Sequence, residues 1–244
     1  MDAGEVLTQA GNRPVPLPRV PWIMQQGWYD LLFAHWEMPL SSVRDLVPSE
    51  LEIDTFGGRA WISVTPFEVR MRPRGISFLG HLWTFPELNL RTYVRYRGVP
   101  GIFFFSLDAD SSLAVKGARL LYRLPYVKAQ MRLQRSAQQF HFESRRMDGA
   151  AALDVTYRPA AASHTAQPGT AEFWLAERYR LYTVVKHTVF VADIDHRPWL
   201  LQPVEAGFAT NKLAAFAGLL INASPDLTGY SREQEVLIWP LLKA

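Results

Sequence analysis

The chain has 244 residues, of which 48% are hydrophobic and 13% aromatic, and it contains no cysteine. This apolar content is enough to bury a large core and excludes a disordered chain. The lack of cysteine excludes disulfides, thiolate metal sites and cysteine nucleophiles, and it is typical of a cytoplasmic protein. The net charge of +3 comes from 21 arginines and 5 lysines against 23 acidic residues, an excess too small to predict nucleic-acid binding.

Residues 1–21 are predicted to form a flexible arm, because four prolines between positions 14 and 21 favour extended backbone outside a sheet. The arm has neither the basic start nor the apolar run of a secretion signal. No stretch reaches the roughly 18 consecutive apolar residues that would predict a membrane-spanning helix. We therefore expect one domain over residues 22–244, located in the cytoplasm and without a membrane partner.

The first half of this domain is predicted to consist mainly of strands separated by glycine turns, with one short helix between Ser42 and Pro48. Gly57-Gly58 and the stretch Gly98–Gly101 mark two hairpin turns. Alternating and aromatic-rich segments predict strands at Trp28–Trp36, Leu51–Phe56, Arg59–Met71, Trp83–Tyr96 and Ile102–Asp108.

The second half combines three predicted helices with further strands. Helical spacing of apolar residues predicts helices over 111–122, Thr170–Glu177 and Asn211–Leu219, and residues 158–169 have the composition of a loop. The predicted strands are Tyr126–Leu133, Gln138–Arg145, Ala152–Tyr157, Tyr179–Val184, His187–Ala192, Trp199–Ala206 and Glu235–Trp239. About ten strands with a few short helices indicate an antiparallel barrel or a strongly curled sheet.

Polar residues alternate with apolar ones in the predicted strand Trp83–Tyr96. Alternate side chains of a strand share a face, so Glu87, Asn89 and Arg91 point one way and Leu88 and Leu90 the other. If the polar face lines a cavity, these groups could orient a small oxygenated ligand, with Glu87 as a general base. The alternative is a solvent-exposed face that carries a surface Glu–Arg pair.

Tyr126 and Lys128 are predicted to share one face of the next strand, and Arg119 of the preceding helix could reach the same region. A desolvated lysine could form a Schiff base with a carbonyl substrate, although a solvated strand lysine is the simpler interpretation. Asp108 follows a buried apolar run, and this position indicates a turn former or a helix cap.

The sequence predicts neither a metal site nor a cofactor. Asp193, Asp195 and His196 lie close to Pro198, and this cluster favours a loop over a ligand set because no second histidine lies at a metal-binding spacing. His35 is predicted to be a core histidine. The chain lacks the motifs of serine hydrolases, P-loop proteins, dinucleotide-binding enzymes and zinc proteases.

Nine short motifs, taken in order, resemble the YqjF-like family of uncharacterised bacterial proteins from about residue 22 to about residue 205. They are Leu32–Trp36, Asp54–Gly58, Pro66-Phe67, Phe85–Val94, Phe105–Asp108, Ala118-Arg119, Leu124–Tyr126, Glu177–Tyr179 and His196–Trp199. That family is similar in fold to acetoacetate decarboxylase. The resemblance implies a mainly β (α+β) fold, namely an antiparallel cone-shaped β-barrel with a central cavity and a few short helices.

The resemblance also bears on chemistry. Acetoacetate decarboxylase uses a Schiff-base lysine directly after a proline, with a second lysine beside it that lowers its pKa. Here Pro125 is followed by Tyr126, which cannot form an imine, and Lys128 lies two residues further on. By the same analogy Glu87 corresponds to an acidic cavity residue of the decarboxylase.

We therefore expect a small anionic or carbonyl-containing molecule as the partner, bound in the barrel cavity. Glu87 is the candidate base and Tyr126 the candidate hydrogen-bond donor or acid, and Asn89, Arg91, Arg119 and Lys128 are the candidate binding residues. Lyase or enol chemistry fits this set. The alternative is a non-catalytic ligand-binding or assembly protein, and exposed strand edges permit a homo-oligomer.

Overall fold

The computed structural model describes residues 3–8, 12–75, 82–219, 221 and 224–244. Within these ranges the strands are β1 (Met24–Met38), β2 (Glu52–Ile53), β3 (Ala60–Pro73), β4 (Trp83–Tyr96), β5 (Val99–Ala109), β6 (Tyr126–Ser136), β7 (Gln139–Arg146), β8 (Ala152–Pro159), β9 (His164–Thr165), β10 (Arg180–Val185), β11 (Thr188–His196), β12 (Leu200–Leu201), β13 (Val204–Asn211), β14 (Leu227–Ile238) and β15 (Leu242–Lys243). The helices are α1 (Ala3–Thr8), α2 (Leu40–Arg44), α3 (Ser112–Tyr122) and α4 (Ala171–Ala176). No helix of the described residues is long and apolar enough to cross a bilayer.

Seven strands close into a ring in the order β5, β10, β11, β14, β1, β3 and β4, and β4 pairs with β5 to complete it. Every neighbouring pair in this ring is antiparallel except β5 and β10. The sheet continues outside the ring through β6, which is parallel to β5, and then through β7, β8 and β13. The mainly β fold class expected from the sequence is confirmed.

The two faces of the ring strands contribute to two separate cores. In β1, Leu31 and Phe33 belong to one core, whereas the adjacent Leu32 and Ala34 belong to the other, as the alternation of a strand requires. The second core also contains residues of the outer strands β7, β8 and β13. Because apolar side chains cover both faces, the ring strands are buried almost throughout the middle of their length.

Strand β4 has the bounds that the sequence predicts. The predicted strand Glu235–Trp239 covers only the end of β14, which begins at Leu227, and the predicted strand Trp199–Ala206 is divided between β12 and β13. The helix predicted over Asn211–Leu219 is wrong. Asn211 ends β13, and only a 3₁₀ turn at Ala215–Ala217 follows. Gly218 adopts a left-handed conformation (φ 72°), and this conformation ends the turn as soon as it has formed.

Buried ionic groups connect the N-terminal segment to strand β11. Asp193 and Asp195 lie in β11 rather than in the predicted loop, and the Arg13 guanidinium forms ion pairs with both carboxylates. Helix α1 places Val6 against Leu237 in a small core of its own. The buried carboxylates of β11 need a positive charge beside them, and Arg13 supplies it. The prediction of a flexible arm did not anticipate these contacts.

Asp108 is also placed differently from the prediction. It lies inside β5, which continues to Ala109, and the Arg146 guanidinium of β7 donates to its two carboxylate oxygens at 2.7 Å each. Both side chains are almost completely buried. Asp108 therefore accepts a two-pronged ion pair instead of capping a helix.

Loss of the Arg146 side chain should strongly destabilise the protein. In Arg146→Leu the Asp108 carboxylate stays buried without its partner, and removal of one member of such a pair costs about 3–5 kcal/mol of unfolding free energy. Urea denaturation measures this loss. The matched control is Arg158→Ala, which breaks an exposed ion pair with Glu205 and should leave the midpoint unchanged. Equal urea midpoints for Arg146→Leu and Arg158→Ala would contradict the assignment of Asp108 and Arg146 as a stabilising buried ion pair.

Candidate functional site

A cavity of about 320 Å³ lies inside the strand ring and is closed on one side by helix α3. Its wall is largely apolar and comes from β1, β3, β4, β5, β10, β11, β14 and the segment after α3. The polar side chains that line it are Gln26, Thr65, Glu87, Asn89, Arg91, Tyr122 and Tyr126. A cavity of this size with few polar groups is typical of a small-molecule site.

Strand β4 brings three of the predicted site residues into this cavity. Glu87, Asn89 and Arg91 line it and are only 5, 6 and 8% exposed, whereas Leu88 and Leu90 face the second core. The strand alternation predicted from the sequence is therefore observed. The solvent-face alternative is wrong, because the ring closes over the polar side of β4.

Glu87 and Tyr126 form the central hydrogen bond of the cavity. The Tyr126 hydroxyl donates to Glu87 Oε2 at 2.9 Å, and the Asn89 side chain hydrogen-bonds the same carboxyl group. Burial raises the pKa of Glu87 from its ordinary 4.5 to about 7, although both hydrogen bonds lower it. Burial and the nearby Glu87 raise the pKa of Tyr126, so its phenol keeps its proton at neutral pH.

Arg91 is a cation without an ionic partner. Within the described part of the chain its guanidinium forms no ion pair, and its Nε atom is buried without a hydrogen bond. Its nearest rings are those of Phe33 and Tyr93, whose centroids lie 5.7 and 6.0 Å from Cζ. An uncompensated positive charge in a buried cavity is costly, and an anionic ligand would offset that cost.

Other polar atoms of the cavity wall also lack partners among the described residues. The four buried atoms without a hydrogen bond are Arg91 Nε, Thr65 Oγ1, Asn89 Oδ1 and the Tyr122 hydroxyl oxygen. Buried polar groups in proteins are almost always satisfied. The two hydroxyls and the guanidinium can donate to a ligand that carries several oxygen atoms, whereas Asn89 Oδ1 can only accept a hydrogen bond.

Arg119 and Lys128 do not line the cavity. The exposed Arg119 guanidinium donates to the backbone oxygen of Tyr126 at 2.6 Å, so it contacts the site through the main chain only. Lys128 Nζ lies 2.6 Å from an Asp110 carboxylate oxygen and is partly exposed. At the start of β6 the buried residues are Tyr126 and Ala129, which are three residues apart. The alternation predicted for this strand is therefore not observed there, and Lys128 does not share the buried face of Tyr126.

Tyr122 and Thr65 are cavity residues that the sequence analysis missed. Tyr122 is the last residue of α3, and Thr65 faces the cavity from β3 directly opposite Asn89. The hairpin register between β3 and β4 could have indicated Thr65, because cross-strand partners share a face. No local pattern distinguishes Tyr122 from an ordinary apolar helix residue.

Metal-binding side chains are sparse at this site. Among the cavity-lining residues that the structure describes, Glu87 is the single carboxylate, and none is a histidine or a lysine. A group that could hold a metal ion consists of His141, Glu143 and Asp154, on β7 and β8 outside the cavity wall. There His141 Nε2 lies 2.9 Å from the Asp154 carboxylate, so these two side chains can also be interpreted as a partly exposed ion pair.

His35 lies close to Arg91 but is not part of the wall. Its Nδ1 atom lies 2.5 Å from Ser63 Oγ, and the residue is almost completely buried. Burial and, to a smaller extent, the charge of Arg91 lower its pKa well below the ordinary value. His35 is therefore the neutral, hydrogen-bonded core histidine that the sequence predicts.

The ring and its cavity place the protein among the acetoacetate decarboxylase-like folds. The structure of the enduracididine biosynthesis enzyme MppR complexed with pyruvate matches with a TM-score of 0.66 at 12% identity, over 94% of this chain and 92% of that chain. Acetoacetate decarboxylase from Legionella pneumophila matches with a TM-score of 0.60 at 16% identity, over 98% and 95% of the two chains. At these identities the likeness shows the fold alone.

The chain belongs to the DUF2071 family of uncharacterised conserved proteins, whose model matches residues 25–235. It is 46% identical over 234 residues to the uncharacterised protein YqjF of Bacillus subtilis strain 168, covering 95% of this chain and 97% of that protein. The family predicted from the sequence motifs is therefore confirmed.

The raised pKa of Glu87 should appear in the pH dependence of stability. The folded protein holds a proton on Glu87 up to about pH 7, whereas the unfolded chain releases it near pH 4.5. Unfolding therefore releases a proton between these values, and the stability contributed by this group falls by about 3 kcal/mol as the pH rises. Glu87→Gln should lack this decrease in urea titrations at several pH values. Parallel plots of unfolding free energy against pH for the wild-type protein and Glu87→Gln would contradict the raised pKa of Glu87.

Removal of the Tyr126 hydroxyl should raise the pKa of Glu87 further. The hydrogen bond from Tyr126 stabilises the ionised carboxylate, so Tyr126→Phe takes away one of the two contacts that lower the pKa. Infrared difference titration of the protonated carboxyl band measures this shift, and the band should be absent in Glu87→Gln. An unchanged midpoint in Tyr126→Phe would show that the hydrogen bond has no influence on the carboxyl group.

Proposed function

We propose that this protein is an enzyme that binds an oxo acid in the ring cavity and transfers a proton at the carbon next to its carbonyl group. The observation that carries the proposal is that two buried groups on one strand face line the same cavity. Glu87 is a carboxyl group with a pKa of about 7, and Arg91 is a guanidinium without an ionic partner. Perturbed titratable groups in a cavity are typical of active sites.

Arg91 is the proposed anchor for the carboxylate of the oxo acid. A guanidinium presents paired N–H donors that match the two oxygens of a carboxylate. The Thr65 hydroxyl belongs to the same wall and offers a further hydrogen bond to the carboxylate or the carbonyl. The bound acid would then satisfy Arg91 Nε and the Thr65 hydroxyl, which have no partner within the described chain.

Glu87 is the proposed general base. Its carboxylate takes a proton from the carbon next to the carbonyl. The electron pair of that C–H bond forms the C=C bond of the enolate, and the π pair of the C=O bond moves to the carbonyl oxygen. The Tyr122 hydroxyl is the candidate donor to this oxyanion. Return of the proton from Glu87 to the same carbon, where the electron pair of the enolate C=C bond forms the new C–H bond, completes the transfer. A pKa near 7 suits both directions at neutral pH.

Tyr126 is proposed to orient the base rather than to donate a proton. Its hydroxyl is committed to Glu87 Oε2, and its raised pKa keeps the phenol neutral. Arg119 supports Tyr126 from outside the cavity, because the Arg119 guanidinium donates to the backbone oxygen of Tyr126. The Tyr126 phenol therefore hydrogen-bonds Glu87 Oε2 and not Glu87 Oε1.

The proposal differs from the imine route of acetoacetate decarboxylase. No lysine occurs among the described residues of the cavity wall, and Lys128 is held by Asp110 at the surface. Direct enolisation needs only a base, an anion site and an oxyanion donor. The pyruvate complex of the structurally similar MppR supports an oxo acid as the ligand class.

The partner in this proposal is a small molecule, in a cytoplasmic setting that fits the cysteine-free composition. The non-catalytic alternative uses the same cavity to bind the acid without turnover. The two differ in one observable, the exchange of substrate protons with solvent.

Proton exchange at the methyl group of pyruvate in D₂O tests the proposal. Proton NMR should show exchange with the wild-type protein above the protein-free rate, and Glu87→Gln should lower that exchange by about 10²-fold or more while pyruvate still binds. Lys128→Ala is the matched control and should exchange at the wild-type rate, because Lys128 lies outside the cavity.

Three outcomes would overturn the catalytic proposal. The first is exchange by Glu87→Gln at the wild-type rate, which would exclude Glu87 as the base. The second is binding of pyruvate without any exchange, which would establish the non-catalytic alternative. The third is pyruvate binding that survives Arg91→Gln unchanged, which would remove the anion site.

A further inference from the structure

We propose that the natural ligand is a 2-oxo acid with a hydroxyl substituent, and that Asn89 selects it by accepting a hydrogen bond from this hydroxyl group. The inference rests on the proposed function for the oxo-acid head group. It adds the substituent that distinguishes the natural ligand from a simple oxo acid, and it assigns Asn89 as the residue that determines this specificity.

The Asn89 amide is oriented by the carboxyl group beside it. Its hydrogen bond with Glu87 lowers the pKa of that carboxyl group, so the contact stabilises the ionised carboxylate. A carboxylate can only accept hydrogen bonds, and the Nδ2 group is the only donor of the Asn89 side chain. The amide nitrogen therefore faces Glu87, and Oδ1 is the atom that is left for another partner.

Asn89 Oδ1 has no partner among the described residues, although it is buried. Asn89 lines the cavity and is 6% exposed, and its amide oxygen accepts no hydrogen bond. Thr65 lies directly opposite on β3, yet its Oγ1 atom also lacks a hydrogen bond, so the two side chains do not satisfy each other. Because buried polar atoms are almost always satisfied, a ligand in the cavity is the expected source of the missing donor.

Other polar groups of the described wall are already engaged or have a different hydrogen-bonding capacity. The Tyr126 hydroxyl donates to Glu87, and Gln26 Oε1 accepts from the Trp28 indole at 2.7 Å. Of the four wall atoms without a partner, Asn89 Oδ1 is the one that can only accept. A simple oxo acid offers only acceptor oxygens once its carboxyl group is ionised, so it cannot satisfy this atom.

A hydroxyl group matches this acceptor better than an ammonium group does. A hydroxyl brings one O–H donor for the one acceptor-only atom of the wall. An ammonium brings three N–H donors, and the remaining two would be buried in a largely apolar cavity at a cost.

The position of Asn89 indicates where the ligand carries its hydroxyl group. On β4, Asn89 is one alternate position from Glu87 and one from Arg91, roughly 7 Å along the strand from each. Its amide is therefore next to both groups that are proposed to contact the oxo-acid head. A hydroxyl that reaches Asn89 Oδ1 should consequently lie close to the head, on carbon 3 or carbon 4 of the acid.

Two pairs of ligands test the inference. 3-Hydroxypyruvate and 2-oxobutanoate differ only by a hydroxyl in place of a methyl group, and so do 4-hydroxy-2-oxobutanoate and 2-oxopentanoate. In at least one pair the hydroxy acid should bind the wild-type protein about tenfold more tightly, because a buried acceptor without a donor is costly. Isothermal titration calorimetry measures the dissociation constants. If the methyl acid binds as tightly as the hydroxy acid, or more tightly, in both pairs, the inference is overturned.

Asn89→Leu should reverse this preference. Leucine is similar in size and offers no acceptor, so the ligand hydroxyl would be buried without a partner and the methyl acid should bind more tightly. The comparison within a pair cancels any effect of the variant on Glu87, because both acids carry the same head group. Thermal unfolding without ligand verifies that the variant is folded.

Thr65→Val is the matched control, because it removes a hydroxyl at the position directly opposite Asn89 and leaves the amide oxygen in place. It should weaken both members of a pair equally and keep the tenfold preference for the hydroxy acid. A preference that survives Asn89→Leu, or that Thr65→Val abolishes, would contradict the assignment to Asn89.

The pyruvate exchange measurement separates this inference from the proposed function, because the calorimetric comparison needs binding but no proton transfer. If the hydroxy acid is preferred through Asn89 but pyruvate shows no exchange, the catalytic proposal fails and the specificity assignment stands. If pyruvate exchanges its protons but neither pair shows the preference, the specificity assignment fails and the proton-transfer chemistry stands.

Discussion

Closure of the strand ring is the constraint on which the rest of this structure depends. Strand β4 pairs with β3 on one side and β5 on the other, and cores cover both of its faces. The polar side chains on its inner face are therefore almost completely shielded from bulk water. The raised pKa of Glu87 and the unpaired charge of Arg91 both follow from this enclosure.

Two kinds of buried charge coexist in the protein. Asp108 is paired with Arg146, and Asp54 with Arg178, at 2.7 Å in each case. Glu87 is hydrogen-bonded by a neutral phenol instead of a cation. Paired charges of the first kind hold elements together, whereas an ionisable group without an opposite charge beside it retains its capacity to act on a ligand. This contrast separates structural ionic groups from the candidate active site.

The fold shared with acetoacetate decarboxylase supplies the cavity but does not determine the chemistry performed in it. The position after Pro125 holds a tyrosine, and the described wall contains no lysine. A similar ring of strands can therefore surround an imine-forming lysine in one protein and a carboxyl–phenol pair in another. Function depends on the side chains that line the cavity, which vary while the strands that carry them persist.

The mainly β class, the bounds of β4 and the shared face of Glu87, Asn89 and Arg91 could be predicted from the sequence, because strand alternation is a local property of the backbone. Enclosure of this face could not be predicted from local patterns, because the ring closes through the pairing of β1 with β14 and of β5 with β10, which lie far apart in the sequence. The same long-range packing brought Tyr122 into the wall and left Arg119 and Lys128 outside it. It also gave Asp108 a partner 38 positions away, which no local pattern indicates.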